Sequence, residues 1–152
     1  MTTTVSEPLR IFLAEDDEDD REFFKDALKD LNIQTNLTIT TDGLDLMTTL
    51  DETVPPPPYA IFLDLNMPRK NGLECLSEIK RTPKLSQIPV IIFSTSDSEK
   101  AINSTYSLGA NYYICKPRNF KLLKKIIQTV LTIDLSNGGK QTPKEKYFLA
   151  IP

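Results

Sequence analysis

The chain has 152 residues, 39% of them hydrophobic and 26% charged, with 18 basic against 21 acidic side chains and a formal net charge of −3. That length suits one domain with a short appendage, and the absence of a basic excess gives no support to nucleic-acid binding. The longest apolar runs, Tyr59 to Leu63 and Tyr147 to Ile151, fall far short of the ~18 to 20 residues that span a bilayer or the roughly 7 to 15 of a secretion signal, so no membrane partner is expected and the location implied is cytoplasmic.

Residues 1–8 are polar and unpatterned and read as a loose leader. Leu9 to Ala14 is the first expected strand. In the helix after it, Phe23, Phe24, Ala27, Leu28 and Leu31 recur at three and four, and Asp16 to Asp20 put negative charge at its start, where the helix dipole favours it. Gln34 to Thr40 is the second strand. Leu44, Met47 and Leu50 mark the inner face of a second helix, stopped by Val54 and the prolines Pro55 to Pro58, which form a stiff connector. Tyr59 to Leu63 is the third strand, and a helix from Gly72 to about Arg81 follows, with Leu73, Leu76 and Ile79 turned inward. Val90 to Phe93 is the fourth strand, and the helix Ser98 to Leu108 ends at Gly109, as a C-terminal glycine should. Asn111 to Cys115 is the fifth strand. The last helix, Asn119 to about Ile133, carries Phe120, Leu123, Ile127, Val130 and Leu131 on one face, with Leu122 and Ile126 off that stripe.

IFLA, YAIFL and VIIF are continuous rather than alternating runs, which is how strands covered on both faces read. Strand and helix alternate five times, so the right-handed crossover rule predicts an α/β fold, a parallel (βα)5 sheet wrapped on both faces, over residues 9–133. In such sheets ligands gather outside the carboxyl ends of the strands. Glu15, Asp16 and Asp17 follow the first strand, Asp64 the third and Ser94 the fourth, while Lys116 closes the fifth. Ionised carboxylates crowded at one edge repel one another unless a cation sits among them. The chain has no histidine, and Cys75 and Cys115 lie forty positions apart, so histidine catalysis, soft-metal sites and disulfides drop out and both cysteines read as small apolar residues. The cation expected is Mg²⁺, which takes carboxylate, water and phosphate oxygens. Lys116 and Ser94 supply a positive charge and a hydroxyl for a phosphoryl group, with Asp64 as the nucleophile that forms an aspartyl phosphate.

From about Leu9 to Leu131 the sequence resembles the receiver domains of bacterial two-component response regulators. The resemblance rests on IFLAEDD, FLDLNMPRKNG, IPVIIFSTS and GANYYICKP. It implies a flavodoxin-like strand order of 2-1-3-4-5. By the same resemblance Asp64 is the phosphoacceptor, Glu15 and Asp16 are the acidic pair, and Asp16 and Asp64 hold Mg²⁺ with the backbone carbonyl of Asn66, Glu15 acting mainly through metal-bound water. Ser94 takes the hydroxyl position, with serine for the commoner threonine, and Glu replaces Asp at position 15. Tyr113, three before Lys116, matches the aromatic switch that responds to the hydroxyl.

The implied partner is a histidine kinase. Several loops and the apolar ending resemble stand-alone regulators paired with bacterial phytochrome-type kinases. After the fifth helix, residues 134–152 are too few for a DNA-binding domain, so a stand-alone receiver is expected, catalysing only its own phosphorylation and dephosphorylation and signalling through protein contacts or assembly. The alternative is a phosphorelay intermediate or phosphate sink. Tyr147 to Ile151 is too apolar to sit comfortably in water, which favours docking of the tail on the domain or a partner. Receivers commonly assemble through the fourth helix, fifth strand and fifth helix, so a homodimer through Leu122 and Ile126 is expected. Two rivals fare worse. An aspartate-nucleophile phosphatase needs a general-acid aspartate where this chain has Asn66, and a flavodoxin-like cofactor binder needs a phosphate loop where EDDEDD would repel one.

Overall fold

The computed structural model describes residues 7–135 and 137–149; the leader over residues 1–8 therefore lies mostly outside the described residues, as do the last three positions of the tail. Five strands, β1 (Leu9–Ala14), β2 (Thr35–Thr40), β3 (Ala60–Leu63), β4 (Val90–Ser94) and β5 (Tyr112–Cys115), form one sheet in the order β2-β1-β3-β4-β5. Every neighbouring pair is parallel. The connecting helices are α1 (Glu18–Lys29), α2 (Gly43–Thr53), α3 (Gly72–Arg81), α4 (Glu99–Ser107) and α5 (Phe120–Thr132). Each starts at a short polar side chain that accepts a backbone N–H: Asp17, Asp42, Asn71, Ser98 and Asn119. Such caps satisfy donors that the first helical turn leaves orphaned. At Asn71 the cap is reciprocal, because Glu74 accepts the Asn71 N–H in return.

Because side chains alternate along a strand, the sheet divides its apolar residues between two cores. Ile11, Leu13, Phe62, Ile91, Phe93 and Ile114 meet α1 and α5 on one face. Phe12, Ile61, Leu63, Val90, Ile92 and Tyr113 meet α2 and α3 on the other. β3 and β4 are buried at every position, whereas β2, at the edge, alternates. Cys75 is fully buried and Cys115 half-buried, and burial pushes the Cys75 thiol up to about 11.

The helix faces differ from the sequence expectation in three places. Leu44 is 49% exposed and Leu73 38% exposed, because Leu46 and Leu50 carry the inner face of α2 while Cys75, Leu76 and Ile79 carry that of α3. Ile126 is only 3% exposed and belongs to the core, with Leu122 half-buried against the same cluster. The reason is that α5 packs on α1 as well as on the sheet, and Phe120 meets Phe23 edge to face, so its buried stripe is wider than one row. Ile126 is therefore not available as an interface residue.

The chain after α5 runs back along the β5 edge. Asn111 Nδ2 donates to Leu135 O at 3.2 Å, a single helical turn spans Lys144–Tyr147, and Phe148 bridges Tyr113 in parallel, with Leu149 N donating to Tyr113 O at 2.9 Å. Tyr147 is fully buried.

At the opposite sheet edge from the strand carboxyl ends, the Lys80 ammonium donates to Ile88 O at 3.2 Å, Asn111 Oδ1 at 3.3 Å and Ser86 O at 3.4 Å. Burial lowers its pKa from 10.5 to about 8. Between those values the unfolded chain holds the proton that the folded one has released, so stability rises with pH there; below about 8 both forms are protonated and the contribution is flat. Urea unfolding of wild type and Lys80→Met is expected to diverge above pH 8. Wild type should gain about 2 kcal/mol relative to the variant between pH 7.5 and 9.5, and parallel pH profiles would contradict the assignment.

Candidate functional site

Sheet pairing continues one residue past several strands, and that is what assembles the site. Glu15 N donates to Thr40 O at 3.0 Å, Asp64 N to Ala14 O at 3.0 Å, and Lys116 N to Ser94 O at 2.7 Å. Glu15 and Asp64 thus sit on adjacent strand ends, as do Ser94 and Lys116. Arg21, in the first turns of α1, donates to Glu15 O at 3.1 Å and Asp16 O at 2.8 Å, tying down the acidic loop. Asn66 N donates to Asp64 Oδ1 at 3.4 Å. Gly72 N donates to Leu65 O at 3.0 Å and closes the loop beneath it.

Glu15, Asp16 and Asp64 each offer one carboxylate oxygen to a common point, these oxygens all lying within 4.8 Å of one another. Glu15 and Asp64 are buried, and Asp16 is exposed. Lys116 Nζ lies 2.5 Å from Glu15 Oε1, 2.8 Å from Asp20 Oδ2 and 3.6 Å from Asp64 Oδ2. Glu15 Oε1 is buried, and the Lys116 ammonium is its close partner. Burial above all, and then hydrogen bonding to Asp64, push the Glu15 carboxyl up to about 8 against the opposing pull of Lys116. Burial also works against the charge of Lys116, but its pairing with Asp20 and Glu15 and the charge of Asp64 outweigh that and hold the ammonium above the ordinary lysine range. Three carboxylate oxygens converging within 4.8 Å of one another, with no nitrogen or sulfur ligand among them, fit a divalent cation that prefers oxygen ligands.

Beside this cluster a cleft of about 660 Å³ opens between the loop after β3 and the loop after β4, lined by Asp16, Asn66, Met67, Ser94, Ser96 and Ala101 among others. Ser94 is fully buried, and its Oγ accepts from Ser96 N at 3.1 Å. Tyr113 is equally buried and donates its hydroxyl to Ser96 O at 2.7 Å. A chain of contacts therefore links the hydroxyl position to the aromatic one through a single residue of the loop. Tyr113 is enclosed on its far side by the tail: Phe148 stacks on it at 5.9 Å, and Tyr147 meets it edge to face at 6.2 Å.

The structure thus brings Glu15, Asp16, Asp64 and Lys116 together, places Ser94 and Asn66 at the adjoining cleft, and connects Tyr113 to Ser94 through Ser96. Leu122 and Ile126 lie apart, on α5. Sequence reasoning missed Asp20 and Arg21. Both stand on the first turn of α1, beside the strand ends, in a run of acids where no spacing singles out Asp20.

Comparison with known proteins gives a consistent result. A family model described as the response regulator receiver domain matches residues 11–128. The chain is 38% identical over 134 residues to the response regulator Rcp1 of Synechocystis sp., covering 86% of this chain and 91% of that protein. Among solved structures, the phosphorylated cyanobacterial phytochrome response regulator RcpA superposes with a TM-score of 0.77 at 35% identity, over 86% of this chain and 96% of that one. The Mn²⁺-bound form of Rcp1 superposes with a TM-score of 0.74 at 37% identity, over 90% and 99%.

Proposed function

Because this chain belongs to the response regulator receiver domain family, we propose that it accepts a phosphoryl group on Asp64 from a histidine kinase and passes the signal on through protein contacts. The observation that carries this reading is the meeting of Glu15, Asp16 and Asp64 oxygens within 4.8 Å at the sheet edge, with Lys116 Nζ among them. An Asp64 carboxylate oxygen attacks the phosphorus of a kinase phosphohistidine; the P–N bond breaks, its electron pair returns to the imidazole nitrogen, and an acyl phosphate remains on Asp64. Lys116 balances the charge of the phosphoryl oxygens, and the Ser94 hydroxyl gives them a donor from the next strand. Asp16, Asp64 and the Asn66 backbone carbonyl would hold Mg²⁺, with Glu15 beside them, and the ion would supply neutralising charge when bound. Ser94 and Tyr113 then form the switch, with Ser96 between them.

The proposed catalysis is confined to the protein's own phosphorylation and dephosphorylation. The relatives RcpA and Rcp1 are the grounds for proposing a phytochrome-type kinase, since RcpA is described as a phytochrome response regulator. Among the described residues no helix is long and apolar enough to cross a membrane, and the proposed location is the cytoplasm, where such a kinase domain would meet it. If a homodimer forms through α4, β5 and α5, Leu122 is its contact on α5, Ile126 being committed to the core.

Intact mass after incubation with Mg²⁺ and acetyl phosphate tests the proposal. One phosphoryl adduct is expected on wild type, and none on Asp64→Asn or with chelator present. An adduct that survives Asp64→Asn would overturn the assignment, as would wild type that neither forms an adduct nor binds beryllofluoride.

A further inference from the structure

Lys116 has three carboxylates to choose from, and the one it hydrogen-bonds best is not the proposed phosphoacceptor. Its Nζ donates to Asp20 Oδ2 at 2.8 Å, whereas Asp64 Oδ2 is 3.6 Å away. Asp20 stands outside the group of oxygens that could hold a cation. Its side chain is 33% exposed against 7% for Asp64, so it meets the lysine from the solvent side of the cluster. It comes from the first turn of α1, whose end is fixed by the Asp17 cap and by Arg21 on the Glu15 and Asp16 carbonyls. The partner of Lys116 is thereby presented from a rigid element.

We infer that Asp20 is a positioning residue: it holds the Lys116 ammonium off Asp64 in the resting protein and competes with an incoming phosphoryl group for it. This rests on the reading of Asp64 as phosphoacceptor. Phosphorylation replaces the single charge of the Asp64 carboxylate with the roughly two of an acyl phosphate, spread over three oxygens further out, and Lys116 must share itself between those oxygens and Asp20. Removing Asp20 takes away both a competitor for the lysine and a repelling charge, so the loaded state gains while the cation alone loses a nearby attraction. The two effects have opposite signs, and general damage to the site would weaken both.

The test is calorimetric titration of full-length protein with Mg²⁺ alone and with beryllofluoride in the presence of Mg²⁺. Asp20→Ala is expected to bind beryllofluoride roughly three- to tenfold more tightly than wild type while binding Mg²⁺ alone no more tightly. Asp20→Glu should stay near wild type and Asp20→Asn fall between. Unchanged or weaker beryllofluoride binding by Asp20→Ala would overturn the inference. So would an undiminished gain in a Lys116→Met background, since only the part owed to direct repulsion can survive there and the competition must pass through the lysine. An independent readout is the side-chain nitrogen resonance of Lys116 in the phosphate-free protein, which Asp20→Ala is expected to shift; an unmoved resonance also overturns it. Loss of beryllofluoride binding in wild type, or its retention in Asp64→Asn, would instead count against the phosphoacceptor reading itself.

Discussion

Gly72→Ala is expected to lower stability by about 3 kcal/mol and to weaken Mg²⁺-dependent phosphorylation of Asp64 together with it. A Cβ at position 72 would stand 2.3 Å from Asp64 O, 2.6 Å from Leu65 Cα and 3.0 Å from Asp64 C. All three are backbone atoms, which cannot swing aside as the end of a long side chain can. The start of α3 must therefore back away from the end of β3, breaking the Gly72 N to Leu65 O bond that closes the loop. That loop carries Asp64 and Asn66, so the packing cost and the loss at the site have one origin. Urea unfolding and intact mass on the same variant check this. A variant as stable and as readily phosphorylated as wild type would show that α3 slides freely over the strand end, contrary to the contacts seen.

Tyr147→Ala is expected to release the tail. The side chain is fully buried, its hydroxyl donates to Thr105 Oγ1 at 2.6 Å, and its ring meets Tyr106 edge to face at 5.0 Å. Around it Gln141 Nε2 donates to Tyr106 O at 2.7 Å and Tyr106 donates its hydroxyl to Thr142 O at 2.8 Å. Truncating a buried aromatic removes about 3–5 kcal/mol of packing. Here that loss falls on a terminal segment, which can detach without unfolding the sheet. The expected readout is loss of hydrogen-exchange protection at the Leu149 amide, which donates to Tyr113 O at 2.9 Å. Exposure of Tyr113 should accompany it, with the global unfolding midpoint changing much less. Tyr147→Phe keeps the ring and should cost only about 1 kcal/mol, the net value of one hydrogen bond. Unaltered protection of Leu149 in Tyr147→Ala would mean that the hydrogen bonds alone hold the tail in place.

Much of the candidate site is legible in the amino-acid sequence, because chain order alone places it. In a parallel sheet every strand ends on the same edge, so residues directly after strands converge whatever the helices do. Glu15, Asp16, Asp64, Ser94 and Lys116 all occupy such positions. The interior strands β3 and β4 are equally plain, since burial on both faces leaves continuous apolar runs. The strand order comes from the family resemblance and not from any pattern in these residues.

What the tertiary structure alone decided is how far each helix is rotated against the sheet and what its margins touch. Periodicity marks an apolar face but not its width. Leu44 and Leu73 are therefore exposed, and Ile126 is taken into the core because α1 packs along α5. The same ambiguity hides Asp20, whose place in a run of six acids carries no sign that it, rather than a neighbour, reaches Lys116. The tail shows the limit most clearly. Its apolar residues announce that something must cover them, but Tyr147 finds Thr105, and Phe148 finds Tyr113, only because the folded sheet leaves the β5 edge open beside α4. Composition and local spacing determine which groups must be buried or paired; partners distant in the chain are chosen by the three-dimensional packing that brings their surfaces together.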